Sequence, residues 1–210
     1  MLHWKWNSMV SSLIGVFVGI SFVLGYIPQL NNLLRALFNN KTAEGVSVTF
    51  WYLISLALAL TYSNFHTTES SLWVIVPQGL NASMAFLILV TVIMIRFNLC
   101  HSLVYSTGLG LSIYAISQLL PTDIAQTVAT ICIVVAYFTQ IYHLHKNKTA
   151  EGLSILLFLF IALSLALMTV NIFITGSYSY GGVTEIINLI MVLVIVFLIW
   201  RYNRKGENNI

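Results

Sequence analysis

The hexapeptide NKTAEG occurs twice in the chain, as Asn40–Gly45 and, 107 positions later, as Asn147–Gly152. Extended by two residues, the copies Asn40–Ser47 and Asn147–Ser154 agree at seven of eight positions. A polar motif repeated almost unchanged at this spacing predicts that the chain is built from two related halves.

The match continues beyond the motif in the same register. At the same offset Asn64 aligns with Asn171, and Asn81 aligns with Asn188, without a gap. Shared hydrophobicity could align leucines by chance, but it does not explain a polar loop together with two asparagine pairs. We therefore infer an internal duplication.

The composition indicates a membrane protein. The chain of 210 residues is 59% hydrophobic and 7% charged, with a mean hydropathy of +0.90, whereas soluble domains carry about 25% charged residues. Apolar runs of about 20 residues are long enough to span a bilayer. The sequence predicts seven such spans, at about 11–38, 47–65, 71–96, 99–119, 122–145, 154–174 and 182–202. We expect an all-α, seven-helix protein whose surroundings are the lipid bilayer.

The basic residues predict the orientation of these spans. Eight of the nine lysines and arginines fall on one side of the predicted membrane, and only Lys5 falls on the other. Because cytoplasmic loops are enriched in basic residues, the N-terminus is predicted outside and the C-terminus inside. This bias accounts for the net charge of +3 without a nucleic-acid partner. The eight residues are Arg35, Lys41, Arg96, Lys146, Lys148, Arg201, Arg204 and Lys205.

The spans group into two units of three with one helix between them. We predict a first three-helix bundle at 11–96, a linker helix within 97–121 and a second bundle at 122–204. A unit with an odd number of spans would insert its second copy upside down, and one added crossing restores its direction. Parallel repeats of this kind are a known plan for transporters, which bind solute between the repeats near the bilayer midplane.

A resemblance to a known family supports this plan. The segments GYIPQLNNLL at 25–34 and KTAEGVS at 41–47 resemble the PQ-loop signature, and AYFTQIYHLH at 136–145 with KTAEGLS is a second version with Thr139 in place of proline. The arrangement resembles the SWEET/PQ-loop (MtN3-like) transporter superfamily over nearly the whole chain. The resemblance implies a transporter that works by alternating access.

Under this resemblance the Pro-Gln pair is a hinge for the inner gate. Proline removes one backbone hydrogen bond and bends or loosens a helix, so Pro28 would let the cytoplasmic end of its helix swing. A static kink is the alternative. Thr139 keeps its N–H and would bend its helix only mildly, so we expect the first bundle to be the more mobile. The predicted hinge and gate residues are Pro28, Gln29, Thr139, Gln140, Tyr26 and Tyr137.

The spacing between the glutamine and the loop differs between the copies. Gln29 precedes Lys41 by 12 residues, whereas Gln140 precedes Lys148 by 8. Four residues are close to one helical turn. We therefore predict that the first helix is one turn longer at its cytoplasmic end.

Asn81 and Asn188 are the leading candidates for solute contact. They occupy matching positions on the third helix of each unit, near the middle of the membrane. An amide offers two donors and an acceptor, which suits hydroxyl, amine or carboxylate groups. The resemblance implies the same role, since an asparagine in this context contacts solute in SWEET-like transporters. The alternative is that each amide bonds only to a neighbouring helix.

Asn64 and Asn171 form a second matched pair, near the outer ends of the second helices. They fall close to where sugar-transporting relatives carry a tryptophan, so the missing aromatic platform counts against a sugar. Capping of a helix end is the alternative role.

Glu185 breaks the symmetry of the repeats. It lies one turn before Asn188 on the same helix face, and its counterpart is the neutral Gln78. We include both among the substrate-binding candidates, because an acidic group at membrane depth marks a functional site by default. However, the loop TGSYSYGG is predicted to end at Gly182, which would place Glu185 at the membrane surface as an ordinary acid of the helix N-terminus.

Two further expectations concern the loop regions. His143 and His145 are interpreted as a solvated or headgroup-facing pair rather than a metal site. Gly45 and Gly152 are expected to adopt positive φ angles, and the serines that follow are expected to cap the next helices.

The sequence therefore predicts a secondary transporter for a small polar solute, with sugar narrowly favoured. A proton-coupled carrier of an amino acid or amine is the alternative, and a sorting receptor of the KDEL-receptor type is a third. We expect no catalytic residues, metal or cofactor. Proton coupling and homo-oligomer formation stay open. The predicted location is a bacterial plasma (inner) membrane, or an endolysosomal membrane if the source is eukaryotic.

Overall fold

A computed structural model of the chain describes residues 2–39, 41–67, 72–175 and 180–207. The regular structure of these residues is α-helical throughout, which confirms the all-α prediction. The helices are α1 (Leu2–Phe38), α2 (Val48–Thr67), α3 (Leu72–Arg96), α4 (Leu99–Leu119), α5 (Thr122–Asn147), α6 (Ile155–Thr175) and α7 (Tyr180–Glu207).

Most predicted spans match these helices to within two residues at each end. Six helices, all except α6, are long and apolar enough to cross a membrane, and α6 contributes the shorter apolar segment Ile155–Asn171. The chain is a multi-pass integral membrane protein. Two spans were predicted too short, because α1 begins at Leu2 rather than at 11 and α7 ends at Glu207 rather than at 202.

Six of the helices form a closed ring. Helix α3 packs between α1 and α2, α7 packs between α5 and α6, and the two sets meet where α1 contacts α6 and α2 contacts α5. Within the described residues the backbones of α1 and α2 do not lie against each other. Helix α4 lies outside the ring against α2 and α3, and only Ser102 and Leu109 of its side chains are buried. The division into two parallel bundles and a linker stays a prediction.

Two glycines let α1 pack closely on its neighbours. A Cβ atom added at Gly19 would lie 2.7 Å from Pro77 Cβ of α3, and one added at Gly25 would lie 2.9 Å from Phe160 Cβ of α6. Small residues allow membrane helices to approach at their backbones, where van der Waals packing holds them. The backbone of α1 thus lies close against side chains of both of its neighbours in the ring.

The two NKTAEG loops lie side by side at one end of the ring, which we name the loop end. The Gly45 N–H donates to the Glu151 carbonyl at 3.0 Å, and the Thr42 hydroxyl donates to the Glu151 carboxylate at 3.0 Å. Both loops therefore belong to the same face of the molecule. The side of the membrane that this face occupies stays a prediction.

The first helix is not a full turn longer than its counterpart. Helix α1 ends at Phe38, nine residues after Gln29, and α5 ends at Asn147, seven residues after Gln140. The four extra residues are shared between helix and loop. Lys148 stops α5 with a left-handed backbone, at φ 54°, and its N–H donates to the Leu144 carbonyl, whereas no positive φ occurs at non-glycine residues elsewhere in the described chain.

Candidate functional site

Gln29 fastens α1 to the loop before α6. Its side chain is fully buried. Nε2 donates to the Gly152 carbonyl at 2.8 Å, and Oε1 accepts from the Ser154 N–H at 2.7 Å. An amide carries both a donor and an acceptor, so one side chain satisfies two backbone groups of opposite kind.

Gln140 makes the same pair of contacts with the other loop. It is fully buried, Nε2 donates to the Gly45 carbonyl at 2.8 Å, and Oε1 accepts from the Ser47 N–H at 3.1 Å. We name these four bonds the glutamine clamp. Each half of the chain holds the loop of the other half, in keeping with the sequence duplication.

The loops approach each other too closely for a side chain at Gly45. A Cβ atom there would lie 2.6 Å from the Ala150 carbonyl carbon and 2.8 Å from Glu151 N. Gly152 has the expected positive φ, at 83°, but Gly45 does not, so that expectation was wrong. Gly45 is needed for backbone contact rather than for a left-handed conformation. The expected cap at Ser47 is present, since its Oγ accepts from the Phe50 N–H at 3.2 Å.

The two predicted gate tyrosines belong to a buried aromatic layer beside the clamp. We define this layer as Tyr26, Phe50, Trp51, Tyr137 and Phe158, all of them buried. The ring centroids of Tyr26 and Trp51 are 6.2 Å apart, and Phe50 lies 5.9 Å from Tyr137 and 6.1 Å from Phe158. The first and last of these pairs join helices that are not neighbours in the ring. The layer therefore fills the ring interior near the loop end.

The hinge positions lie between the aromatic layer and the clamp. Pro28 is half-buried within a continuous α1. On the other side, the Thr139 hydroxyl donates to the Ala136 carbonyl at 2.7 Å, within its own helix. Thr139 thus supplies a local bond where Pro28 removes one. The hinge role of both stays a prediction.

Asn81 and Asn188 are buried, at 4% and 3% exposure. Within the described part of the chain, Oδ1 of each accepts no hydrogen bond. A buried acceptor left without a partner costs about 1–3 kcal/mol, so two such atoms at repeat-related positions require an explanation. A bound solute that donates hydrogen bonds would remove this cost.

Gln78 and Asn64 bond to neighbouring helices. The Gln78 amide donates to the Leu58 carbonyl of α2 at 3.3 Å. Asn64 Nδ2 donates to Gln126 Oε1 of α5 at 3.0 Å, which ties the two units together far from the loop end. Both side chains therefore have structural contacts in this conformation, and a role in solute binding stays a prediction.

Asn171 and Glu185 are half-buried on α6 and α7. The loop before Glu185 was predicted to end at Gly182, but α7 already begins at Tyr180, and residues 176–179 lie outside the described part. Glu185 therefore follows the first turn of its helix. It lies three residues before Asn188, which keeps the two on neighbouring positions of one helix face.

His143 is more enclosed than the solvated or headgroup-facing position predicted for it. It is half-buried, and its Nε2 lies 2.7 Å from the Glu44 carbonyl oxygen and 3.3 Å from Arg96 Nη2. His145 is exposed, as expected. The sequence offered only a weak signal for this contact, a lone arginine at the end of one span and a histidine near the end of another.

Comparisons with known proteins agree with this geometry. Residues 122–180 match the family model of the PQ loop repeat, a stretch that includes the version with Thr139. No curated protein matches the chain by sequence. The structure is similar to that of a eukaryotic SWEET transporter, with a TM-score of 0.62 and 12% identity over 95% of this chain and 99% of that one. These findings confirm the predicted resemblance, and the structural match shows the fold.

Proposed function

We propose that this chain, which carries a PQ-loop repeat and has the fold of a SWEET transporter, is a secondary transporter of a small polar solute. Sugar is the favoured class of solute, and alternating access is the proposed mechanism. The single observation that carries the proposal is the pair of buried, unbonded amide oxygens of Asn81 and Asn188. They supply acceptors for the hydroxyl groups of a solute at positions related by the repeat.

The ring supports the proposed division into two parallel bundles, 11–96 and 122–204, with a linker helix at 97–121. Within each set the third helix separates the first two, and α4 contacts the ring only from outside. The loop end would face the cytoplasm, because the basic residues gather there. The aromatic layer and the glutamine clamp would then form the closed inner side.

Solute binding is tested by thermal stabilisation of the purified protein with a panel of sugars, amino acids and nucleosides. We expect a sugar to raise the unfolding temperature, and Asn81→Ala and Asn188→Ala each to abolish that rise, because the acceptors are lost. Asn203→Ala is the matched control, since Asn203 is exposed at the end of α7. A solute that stabilises both asparagine variants as well as the parent protein would contradict the assignment of this site.

A proton-coupled carrier of an amino acid or amine is the second candidate. Glu185 favours it, because a half-buried acid one turn from Asn188 could bind a cationic group or take up a proton. Stabilisation by an amino acid but by no sugar would select this candidate. If Glu185 couples to protons, Glu185→Gln should remove the difference between acidic and neutral pH in uptake by proteoliposomes.

The proposed hinge leads to a prediction for Pro28. We expect Pro28→Ala to slow solute uptake into proteoliposomes while solute-induced stabilisation persists, because alanine restores the backbone bond and stiffens α1. Thr139→Ala, the matched change in α5, should have the smaller effect, since threonine keeps its N–H. If Pro28→Ala takes up solute at the rate of the parent protein, the kink at Pro28 is static and does not act as a hinge.

A further inference from the structure

The first NKTAEG loop is held by a group of side chains beyond the glutamine clamp. Arg96 Nη2, at the end of α3, lies 3.0 Å from the Ala43 carbonyl and 3.1 Å from the Glu44 carbonyl. From α5, Asn147 Nδ2 donates to the same Glu44 carbonyl at 3.1 Å, and His143 Nε2 lies 2.7 Å from it. The Glu44 carbonyl oxygen thus contacts three side chains, one from the first unit and two from the second.

His143 joins α5 to the first unit in either tautomer. With the proton on Nε2 it donates to the Glu44 carbonyl at 2.7 Å. With Nε2 unprotonated it accepts instead from Arg96 Nη2 at 3.3 Å and from Asn147 Nδ2 at 2.9 Å, which can only donate. Arg96 reaches the same loop with a charged donor, and hydrogen bonds from charged groups are about twice as strong as neutral ones.

Among the residues that the structure describes, the second loop has no equivalent group of side chains. The loops and third helices of the two units are related by 107 positions, so the counterpart of Arg96 is Asn203. The helices that carry Gln29 and Gln140 are related by 111 positions, and counted from these glutamines the counterpart of His143 is Asn32. Within the described residues neither asparagine bonds to the second loop; instead Asn32 lines an open cleft of about 310 Å³ beside Glu151 and Gly152. The additional contacts are therefore confined to one of the two junctions between the units.

The junction that has the additional contacts, between α2 and α5, lacks a counterpart of Pro28. Helix α5, which carries Thr139, packs on α2, whereas α1, which carries Pro28, packs on α6. Thr139 bonds within its own helix, and proline cannot donate a backbone bond. The extra bonds and the stiffer helix coincide at the α2–α5 junction, and the looser helix lies at the α1–α6 junction.

We propose that the loop end opens at the α1–α6 junction while the α2–α5 junction stays closed as the pivot. Arg96 and His143 are the positioning residues that keep it closed. This inference rests on the proposed alternating access. It assigns unequal roles to two junctions that the glutamine clamp alone would make equivalent.

Distances between pairs of spin labels can test the inference, because the chain offers matched exposed sites at both junctions. The repeat relates Asn31 and Leu156, on α1 and α6, to Tyr142 and Thr49, on α5 and α2, and all four are exposed. In lipid nanodiscs we expect a broad Asn31–Leu156 distance distribution that shifts by several ångströms when transported solute is added. The Thr49–Tyr142 distribution should stay narrow and unshifted.

A variant that makes the junctions alike tests the positioning residues without any solute. In Arg96→Asn/His143→Asn, which copies the residues of the second junction, the Thr49–Tyr142 distribution should broaden toward that of Asn31–Leu156. Arg96→Lys alone should broaden it less, since lysine keeps the charge but loses the planar guanidinium. Asn32→Ala/Asn203→Ala is the control and should leave both distributions as they are.

The outcomes separate this inference from the proposed function. Equal broadening of both pairs in the parent protein, or a narrow Thr49–Tyr142 distribution that persists in the double variant, would overturn the closed pivot. If the double variant behaves as expected but no solute is taken up by proteoliposomes, the pivot is supported and the proposed transport is wrong.

Discussion

Replacement of Gln29 by leucine should lower the unfolding temperature of the protein far more than replacement of Gln118 by leucine. Leucine has nearly the volume of glutamine but neither a donor nor an acceptor, so the Gly152 carbonyl and the Ser154 N–H lose their buried partner. Each backbone group left unsatisfied costs about 1–3 kcal/mol. Gln118 is exposed on α4, and its replacement leaves no buried group unpaired.

The size of this effect depends on where the bonds lie. Side-chain hydrogen bonds between membrane helices contribute only about 0.6 kcal/mol on average, because the unfolded state in the membrane finds other partners. Here the partners are backbone groups of the two loops, and within the described residues these groups make no other hydrogen bond. Gln140→Leu should therefore be as harmful as Gln29→Leu, through Gly45 and Ser47.

Detergent-solubilised protein, heated while its monodisperse fraction is followed, provides the measurement. Gln29→Glu adds a sharper comparison, because a carboxylate can accept from the Ser154 N–H but cannot donate to the Gly152 carbonyl. We expect Gln29→Glu to be destabilised as well. An unfolding temperature of Gln29→Leu equal to that of Gln118→Leu would show that the clamp does not stabilise the fold.

Replacement of Gly45 by alanine should have an even larger effect on the amount of folded protein. The new methyl group would lie 2.6 Å from the Ala150 carbonyl carbon and 2.8 Å from its Cα atom. Both are backbone atoms of the opposite loop, which cannot move aside as the end of a flexible side chain can. The loops would have to separate, and the glutamine clamp would be strained with them.

Gly110→Ala is the matched control for this change. An added Cβ at Gly110 meets nothing within 4 Å, and alanine favours a helix over glycine by about 1 kcal/mol. The yield of monodisperse protein after purification should therefore be unchanged or higher for Gly110→Ala and strongly reduced for Gly45→Ala. Similar yields for the two variants would disprove the close contact between the loops.

The sequence predicted the helices well because their signals are local. Apolar length and basic flanks do not depend on which helix packs on which, so the bounds of α2 to α5 could be placed to within two residues. The duplicated hexapeptide also identified the paired asparagines as related positions, and the PQ-loop resemblance paired the two glutamines, which are 111 rather than 107 positions apart. Their relation depends only on alignment and not on packing.

The partners of these residues could not be predicted. Gln29 and Ser154 are 125 positions apart, and nothing near either residue in sequence indicates the other. The same holds for His143, whose polar contacts include a carbonyl and an arginine from the other unit. A glycine needed for contact, such as Gly45, also looks the same in sequence as one needed for a positive φ, such as Gly152.

The glutamine clamp also constrains how the protein can be made. Its four bonds join residues that are 93 to 125 positions apart. A nascent chain that has inserted α1 to α4 therefore still carries an unfinished first loop, because Gln140 has not yet been synthesised. The polar groups of Gly45 and Ser47 stay available to water or to chaperones until α5 arrives. Neither half can complete its own loop, so both loops reach their final contacts only after α5 and the second loop have been synthesised.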